Sequence, residues 1–141
     1  SKVKMEPNVW GPPAWIFLHS ITFQYPENPT DMDKKKYYTF FHSLKNVLPC
    51  PNCREHYQTN FEKLPINLES RKELIEWLID LHNEVNIKNG KKVLSYNEVY
   101  KIYNDLYENK KNNSYNYLKV IIVIAIIVIS CYYYKNYYIK K

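Results

Sequence analysis

The sequence has little glycine, no second cysteine pair and no clear β-strand pattern. It contains two glycines and three cysteines, and neither a His-x3-His motif nor another Cys-x-x-Cys motif accompanies the single one. A structural zinc site is usually built from two paired ligand sets, so this kind of site is disfavoured. The lack of strands argues against the βαβ units of a thioredoxin-like fold. There is no apolar run near the N-terminus, so we expect no signal peptide.

Acidic residues are missing from the C-terminal tail. Residues 113–141 carry four Lys and no Asp or Glu, whereas residues 1–112 carry 16 Lys and Arg against 14 Asp and Glu, which leaves +2. Most of the formal net charge of +6 therefore belongs to the tail. A nucleic-acid-binding protein would concentrate basic charge on a folded face. We therefore expect no nucleic-acid partner.

Apolar residues at helical spacing and helix-end signals predict five helices with short loops. This pattern is typical of an antiparallel all-α bundle. The first helix should end before Pro26. Ser70 with Glu73 forms a capping box that should begin the fourth helix, and Gly90 should follow its end. The predicted folded domain covers residues 5–108.

Cys50 and Cys53 form a Cys-x-x-Cys pair, and His56 follows three residues later. Cys50 should lie at a helix N-terminus, where the helix dipole and the nearby Arg54 favour a thiolate. Three interpretations remain open on the residues alone. The pair could be redox-active, it could bind zinc together with His56 and a fourth ligand, or it could form a structural disulfide.

The C-terminal part divides into three predicted segments. Residues 109–116 read as a polar linker, 117–135 as a transmembrane helix and 136–141 as a basic tail. The transmembrane prediction rests on a long apolar run with tyrosines at both ends, as in the aromatic belts of membrane interfaces. It places the domain on a viral or host internal membrane, anchored by this single helix.

Several motifs occur in a fixed order along residues 8–108. These are W-G-x-x-x-W-x-x-x-H from Trp10, then Tyr25-Pro26, then C-x-x-C-x-x-H from Cys50, then W-x-x-x-x-H-N-x-V-N from Trp77. In this order and at these spacings they closely resemble the Erv/ALR family of FAD-linked sulfhydryl oxidases. The abundance of residues with A/T-rich codons suggests a member from a large DNA virus.

The resemblance implies a four-helix bundle with a short fifth helix that encloses FAD, and a homodimer. It implies that Cys50 exchanges with substrate thiols, and that Cys53 lies against the flavin. The residues implied to line the cofactor are Gly11, Trp15, His19, Tyr57, Trp77, His82, Asn83, Asn86, Lys88, Lys91 and Tyr100. Lys88 or Lys91 would reach the pyrophosphate.

The implied activity is that of a thiol oxidase. Electrons would pass from a thiol-containing protein substrate through Cys50 and Cys53 to FAD and then to molecular oxygen, which gives hydrogen peroxide. Many family members carry a second, shuttle pair of cysteines, but here the only other cysteine is Cys131. We therefore expect direct exchange with a small thioredoxin-like or CxxC protein. The alternative is a zinc-stabilised membrane adaptor that uses Cys50, Cys53 and His56.

Overall fold

A computed structural model describes residues 3–139; the side chains of residues 109–114, 131, 133, 134 and 136–139 lie outside this description. The described chain forms five α-helices and no β-strand. The helices are α1 (Pro7–Phe23), α2 (Asp31–Val47), α3 (Pro51–Lys63), α4 (Arg71–Lys88) and α5 (Tyr96–Ile139). Two compact units result, and the first ends at Tyr96. The predicted all-α architecture is confirmed.

Local side-chain caps begin most of the helices in the first unit. Thr30 and Asp33 form a reciprocal capping box at α2, in which each side chain accepts the backbone N–H of the other residue. The Ser70 side chain accepts the backbone N–H of Glu73 at the start of α4. These caps satisfy backbone donors that the first helical turn leaves without an intrahelical acceptor.

The end of α4 is a Schellman motif centred on Gly90. The Gly90 N–H donates to the Ile87 carbonyl, and the Lys91 N–H donates to the Asn86 carbonyl at 2.8 Å. Gly90 has φ of 64°, in the left-handed region that residues with a Cβ rarely adopt. The motif ends the helix where the sequence predicted and turns the chain back.

The hydrophobic core of the first unit lies between its four helices. Helix α1 packs on α4, α2 packs on α3, and α3 also contacts α4. Phe41, Leu74, Leu78 and Leu81 are completely buried. Around them lies a cluster of aromatic rings, in which Trp77 meets the rings of two phenylalanines edge-on. This core fixes the relative positions of α1, α3 and α4.

The second unit differs from the sequence prediction. The expected short fifth helix is instead a continuous helix, α5, of 44 residues. Helix α5 also runs through residues 109–116, the predicted linker. No Gly or Pro occurs between residues 96 and 139, so the polar segment contains no residue that breaks a helix.

The predicted transmembrane helix over residues 117–135 is corrected. Among the residues whose side chains the structure describes, no helix is both long and apolar enough to cross a membrane. The prediction counted flanking tyrosines and Lys119 towards the span. The uninterrupted apolar run, 120–129, has ten residues, about half of the roughly 20 that a span requires. The predicted anchoring by this helix, and the membrane localisation that was based on it, are therefore corrected as well. The Cys131 side chain and the predicted basic tail lie outside the described side chains.

Replacing Gly90 by Ala should destabilise the first unit by about 1 kcal/mol, because alanine disfavours the left-handed backbone that this position adopts. Gly11 is the matched control: it lies inside α1, and a Cβ there would meet no atom within 4 Å apart from its chain neighbours and the backbone of its own helix. Gly11→Ala should change the stability of the apoprotein by less than about 1 kcal/mol, because the gain in helix propensity is offset by the contact of the new Cβ with the ring of Pro12. Urea unfolding of both variants measures the difference. Equal effects of the same sign would contradict the role assigned to Gly90.

Candidate active site

The two cysteines lie at the beginning of α3. Cys50 is the N-cap residue, and its sulfur accepts the backbone N–H of Cys53 at 3.2 Å. Pro51 occupies the first helical position, where a missing N–H leaves no helical hydrogen bond unmade. Both residues are partly buried and neither is in a disulfide. The predicted position of the pair at a helix N-terminus is confirmed by this geometry.

The environment shifts the pKa values of the two thiols in opposite directions. The Cys53 thiol donates to the Cys50 sulfur and lowers the pKa of Cys50, and the backbone N–H groups of Cys53 and Asn52 and the charge of Arg54 lower it further. Burial raises the pKa of Cys53 to about 11, and the bond to Cys50 adds to this effect. The thiolate is the reactive form of cysteine. Cys50 is therefore the more readily ionised thiol of the pair.

Arg54 fixes the connection between α2 and α3. Its guanidinium donates to the backbone carbonyl of Leu48, the residue that caps α2, at 2.6 Å. Only Pro49 and Cys50 separate Leu48 from the first residue of α3. This hydrogen bond therefore holds the loop that presents Cys50, in addition to the effect of its charge on the thiol.

Three aromatic residues from α1 and α4 form a second group of predicted site residues. The Trp15 and His82 rings stack with centroids 3.7 Å apart and an angle of 8° between their planes. His19 Nε2 lies 3.2 Å from His82 Nδ1, so the two histidines share one hydrogen bond. Burial lowers the pKa of His19 to about 3 and that of His82 to about 4. Both rings are therefore neutral at physiological pH.

The polar residues after His82 bond to the protein itself. Asn83 Nδ2 donates to the Leu94 carbonyl at 2.9 Å, and Asn83 Oδ1 accepts the Leu94 N–H at 3.1 Å. The buried Asn86 side chain donates to Asn83 Oδ1 at 3.5 Å. Lys91 carries its charge close to His82, where it contributes to the lowered pKa of that histidine.

His56 lies beside Lys88 and not in a metal site. The Lys88 ammonium and His56 Nε2 are in hydrogen-bond contact between α3 and α4. Within the described part of the chain, no group of three or more His, Cys, Asp or Glu side chains could hold a metal ion. The alternative interpretation of Cys50, Cys53 and His56 as zinc ligands, and with it the zinc-stabilised adaptor, is therefore not supported.

The remaining predicted residues occupy different places. Trp77 is 5% exposed in the core, and its indole N–H donates to the Leu64 carbonyl at 2.9 Å. Tyr57 is also buried; its hydroxyl donates to the Phe41 carbonyl, and burial raises its pKa. Gly11 has open space beside its Cα. Tyr100 lies on α5 in the second unit.

Comparisons with known proteins agree with the motif order. Residues 12–105 match the model of the Erv1 / Alr family. The chain belongs to the Erv1 / Alr family. It is 44% identical over 116 residues to the probable FAD-linked sulfhydryl oxidase of Acanthamoeba polyphaga mimivirus, covering 80% of this chain and 81% of that one. The FAD-linked sulfhydryl oxidase of African swine fever virus is 29% identical, with 82% and 94% covered.

Solved structures and cellular relatives extend the comparison. The crystal structure of the FAD-binding domain of Erv1 from Saccharomyces cerevisiae has a TM-score of 0.68 and 31% identity, and the match covers 72% of this chain and 96% of that one. The Arabidopsis thaliana FAD-linked sulfhydryl oxidase is 36% identical over 59% of this chain, which spans only 44% of that relative. The match to the family therefore rests on the folded core.

Two contacts of this Erv1 / Alr chain were not predicted. The Asn83 side chain binds the loop after α4, and the Tyr96 hydroxyl contacts both carboxylate oxygens of Asp80 at 3.1 and 3.0 Å. A signal was present, because Asp80, Asn83 and Asn86 recur every three residues and so lie on one helix face. What the spacing could not give is the partner, which is loop backbone in one case and a tyrosine 16 residues away in the other.

The buried histidine pair should make stability fall in mild acid. The unfolded chain binds protons near the ordinary histidine pKa of 6.5, whereas the folded rings resist protonation until about pH 4. The contribution of the histidine pair to stability should therefore be complete above pH 6.5 and fall below it by up to about 1.4 kcal/mol per pH unit for each histidine. His82→Gln should reduce this slope between pH 6 and 4.5, measured by urea unfolding.

His42→Gln serves as the matched control, since it removes a histidine that lies outside the buried pair and stacks on Tyr38 instead. A slope in His82→Gln equal to that of the unmodified chain would show that the pair does not resist protonation. An equal reduction of the slope in His82→Gln and His42→Gln would also contradict a special role of the buried pair.

Proposed function

We propose that this chain is an FAD-dependent sulfhydryl oxidase that forms disulfide bonds in partner proteins. The observation that carries the proposal is the Cys50–Cys53 pair at the N-terminus of α3, with one acidic and one weakly acidic thiol. Relatives over most of the chain are named FAD-linked sulfhydryl oxidases. The geometry supplies the chemical reason: a partly exposed, readily ionised sulfur lies next to a second sulfur with which it can form a disulfide.

The two cysteines divide the exchange reaction between them. In the oxidised form, a substrate thiolate attacks Cys50 Sγ, the Cys50–Cys53 bond breaks, and the electron pair moves to Cys53 Sγ. A second substrate thiolate then attacks the mixed disulfide and releases Cys50 as a thiolate. The substrate gains one disulfide, and the pair gains two electrons. Hydrogen bonds to the Cys50 sulfur make it the better leaving group in this second step.

The side chains around His82 suit a flavin nucleotide. Trp15 and His82 offer aromatic faces, His19 and His82 offer neutral ring nitrogens, and Lys91 adds a positive charge for a diphosphate. The Trp15 and His82 rings would hold a flat ligand by aromatic stacking. When bound, FAD would accept the two electrons and pass them to molecular oxygen, which yields hydrogen peroxide.

The proposed substrate is a thiol-containing protein, such as a small thioredoxin-like or CxxC protein, that exchanges directly with Cys50. Support comes from the partial exposure of Cys50 at a helix end, where a partner can approach. The α2–α3 loop that carries it is held by Arg54. A rigidly presented Cys50 sulfur favours attack by a thiolate on an extended segment of a partner.

The decisive test is a visible spectrum and oxygen uptake of the purified protein with dithiothreitol. We expect a flavin band at about 450 nm that bleaches with the thiol and returns as oxygen is consumed. Cys53→Ser and Cys50→Ser should each keep the band and lose thiol-dependent oxygen uptake, because the exchange requires both sulfurs. Cys131→Ser is the matched control and should remain active. A colourless protein, or full activity in either active-pair variant, would refute the proposal.

We also propose that the chain forms a homodimer through α1. Val9, Ile16 and Phe17 are 72%, 44% and 60% exposed, and Val9 and Ile16 lie two turns apart on one face. Several large apolar side chains left on one helix face are typical of an interface with another protein. A second copy is the partner that would bury this face symmetrically.

Phe17→Asp should weaken the dimer by about a hundredfold or more, since an unpaired carboxylate buried in an interface costs roughly 3 kcal/mol. Light scattering coupled to gel filtration would follow the change from two chains to one. Ile87→Asp is the control, because Ile87 is similarly exposed, at 59%, but lies on α4. If the unmodified protein is a monomer at micromolar concentration, or if only Ile87→Asp dissociates it, the α1 interface is wrong.

A further inference from the structure

The chain after α4 runs back along the helix that it has just left. Residues 91–96, which we call the return strap, follow directly after Gly90. The first tie is the hydrogen bond from the Lys91 N–H to the Asn86 carbonyl at 2.8 Å. The second is the pair of bonds between the Asn83 side chain and the Leu94 backbone.

A third tie lies at the end of the return strap. The Tyr96 hydroxyl lies within hydrogen-bond distance of both carboxylate oxygens of Asp80. The α4 partners of the three ties are therefore residues 86, 83 and 80, one about every turn of the helix. The return strap is fastened along the polar face of α4, in reverse order.

Asn83 is the middle tie, and three of the four hydrogen bonds that its amide can make are with the protein. Its oxygen accepts one hydrogen bond from the Leu94 N–H and another from the Asn86 amide, and an amide oxygen has two lone pairs. Its nitrogen donates to the Leu94 carbonyl. The Asn83 amide thus both donates to and accepts from the Leu94 backbone, as two paired residues do in an antiparallel β-sheet. The two accepted bonds leave the oxygen no capacity to accept a bond from a ligand.

The return strap begins with Lys91, whose charge lies near His82. Lys91 follows the Schellman turn directly, so its position depends on how the next residues are held against α4. The tie at Leu94 is three residues further along. Loss of this tie would leave Lys91 held by the turn and by the more distant tie between Tyr96 and Asp80.

We propose that Asn83 is a positioning residue: it clasps Leu94, thereby holds Lys91 beside His82, and raises the affinity for FAD without contacting FAD. The effect on affinity rests on the proposed function, whereas the clasp itself does not. The proposed cause of the higher affinity is the pair of hydrogen bonds between Asn83 and Leu94. These bonds link two segments of the protein and do not involve the cofactor.

Hydrogen exchange of the apoprotein tests the clasp. In Asn83→Ala, the Leu94 amide should exchange about tenfold faster, since it loses an acceptor worth about 1 kcal/mol or slightly more. Asn83→Asp, which has almost the same shape, keeps an acceptor for the Leu94 N–H and should show a smaller increase. It serves as the second variant should alanine impair folding. Tyr96→Phe, which removes the third tie, should leave the Leu94 amide nearly as protected as in the unmodified chain. Unchanged Leu94 exchange in Asn83→Ala would overturn the clasp.

A double-mutant cycle on FAD affinity, measured by flavin fluorescence titration, tests the route through Lys91. Asn83→Ala should weaken FAD binding about tenfold in the unmodified background but less than about twofold when Lys91 is already Met. Equal losses in both backgrounds would mean that Asn83 acts on FAD directly, and would overturn the positioning role. If the unmodified protein binds no FAD, the proposed function and the effect on affinity both fail, while the Leu94 exchange still decides whether the clasp exists.

Discussion

One hydrogen bond at the start of α3 joins the folding of this chain to its chemistry. The Cys50 sulfur accepts the Cys53 N–H, which is how an N-cap residue begins a helix. A thiolate accepts such a bond more strongly than a thiol does. The bond that caps α3 therefore also stabilises the ionised form of Cys50. Ionisation of Cys50 and stability of the helix end are therefore favoured by the same contact.

Helix α4 also has both a structural and a site role. One of its faces packs in the core, and another carries residues of the candidate site. Leu74, Leu78 and Leu81 are buried, and Trp77 anchors the helix to the chain after α3 through the Leu64 carbonyl. One turn further on, His82 stacks on Trp15 of α1. Because α1 and α4 pack on each other, the core also sets the relative positions of the rings that these two helices carry.

The sequence was informative where structure depends on neighbouring residues. The capped start of α4, its end at Gly90 and the Cys pair at a helix N-terminus were all predicted, because each is a local pattern of a few residues. The length of α5 was not, since its polar segment offered neither a stop signal nor a periodic apolar face to interpret. The transmembrane prediction failed for a related reason: it added amphipathic tyrosines to an apolar run of ten residues.

The candidate site shows where sequence reasoning stops. The sequence motifs predicted Trp15, His19 and His82 as residues of one site, and the structure places these three in contact. The same motifs also contain Trp77, whose ring the structure places in the core, and its role at the cofactor stays a prediction. A motif records which residues matter but not which atoms they touch. Asn83 makes this plain, because its partners are the N–H and carbonyl of Leu94, groups that every residue except proline carries. No sequence pattern marks such a partner, and only the path of the chain after Gly90 brings it within reach.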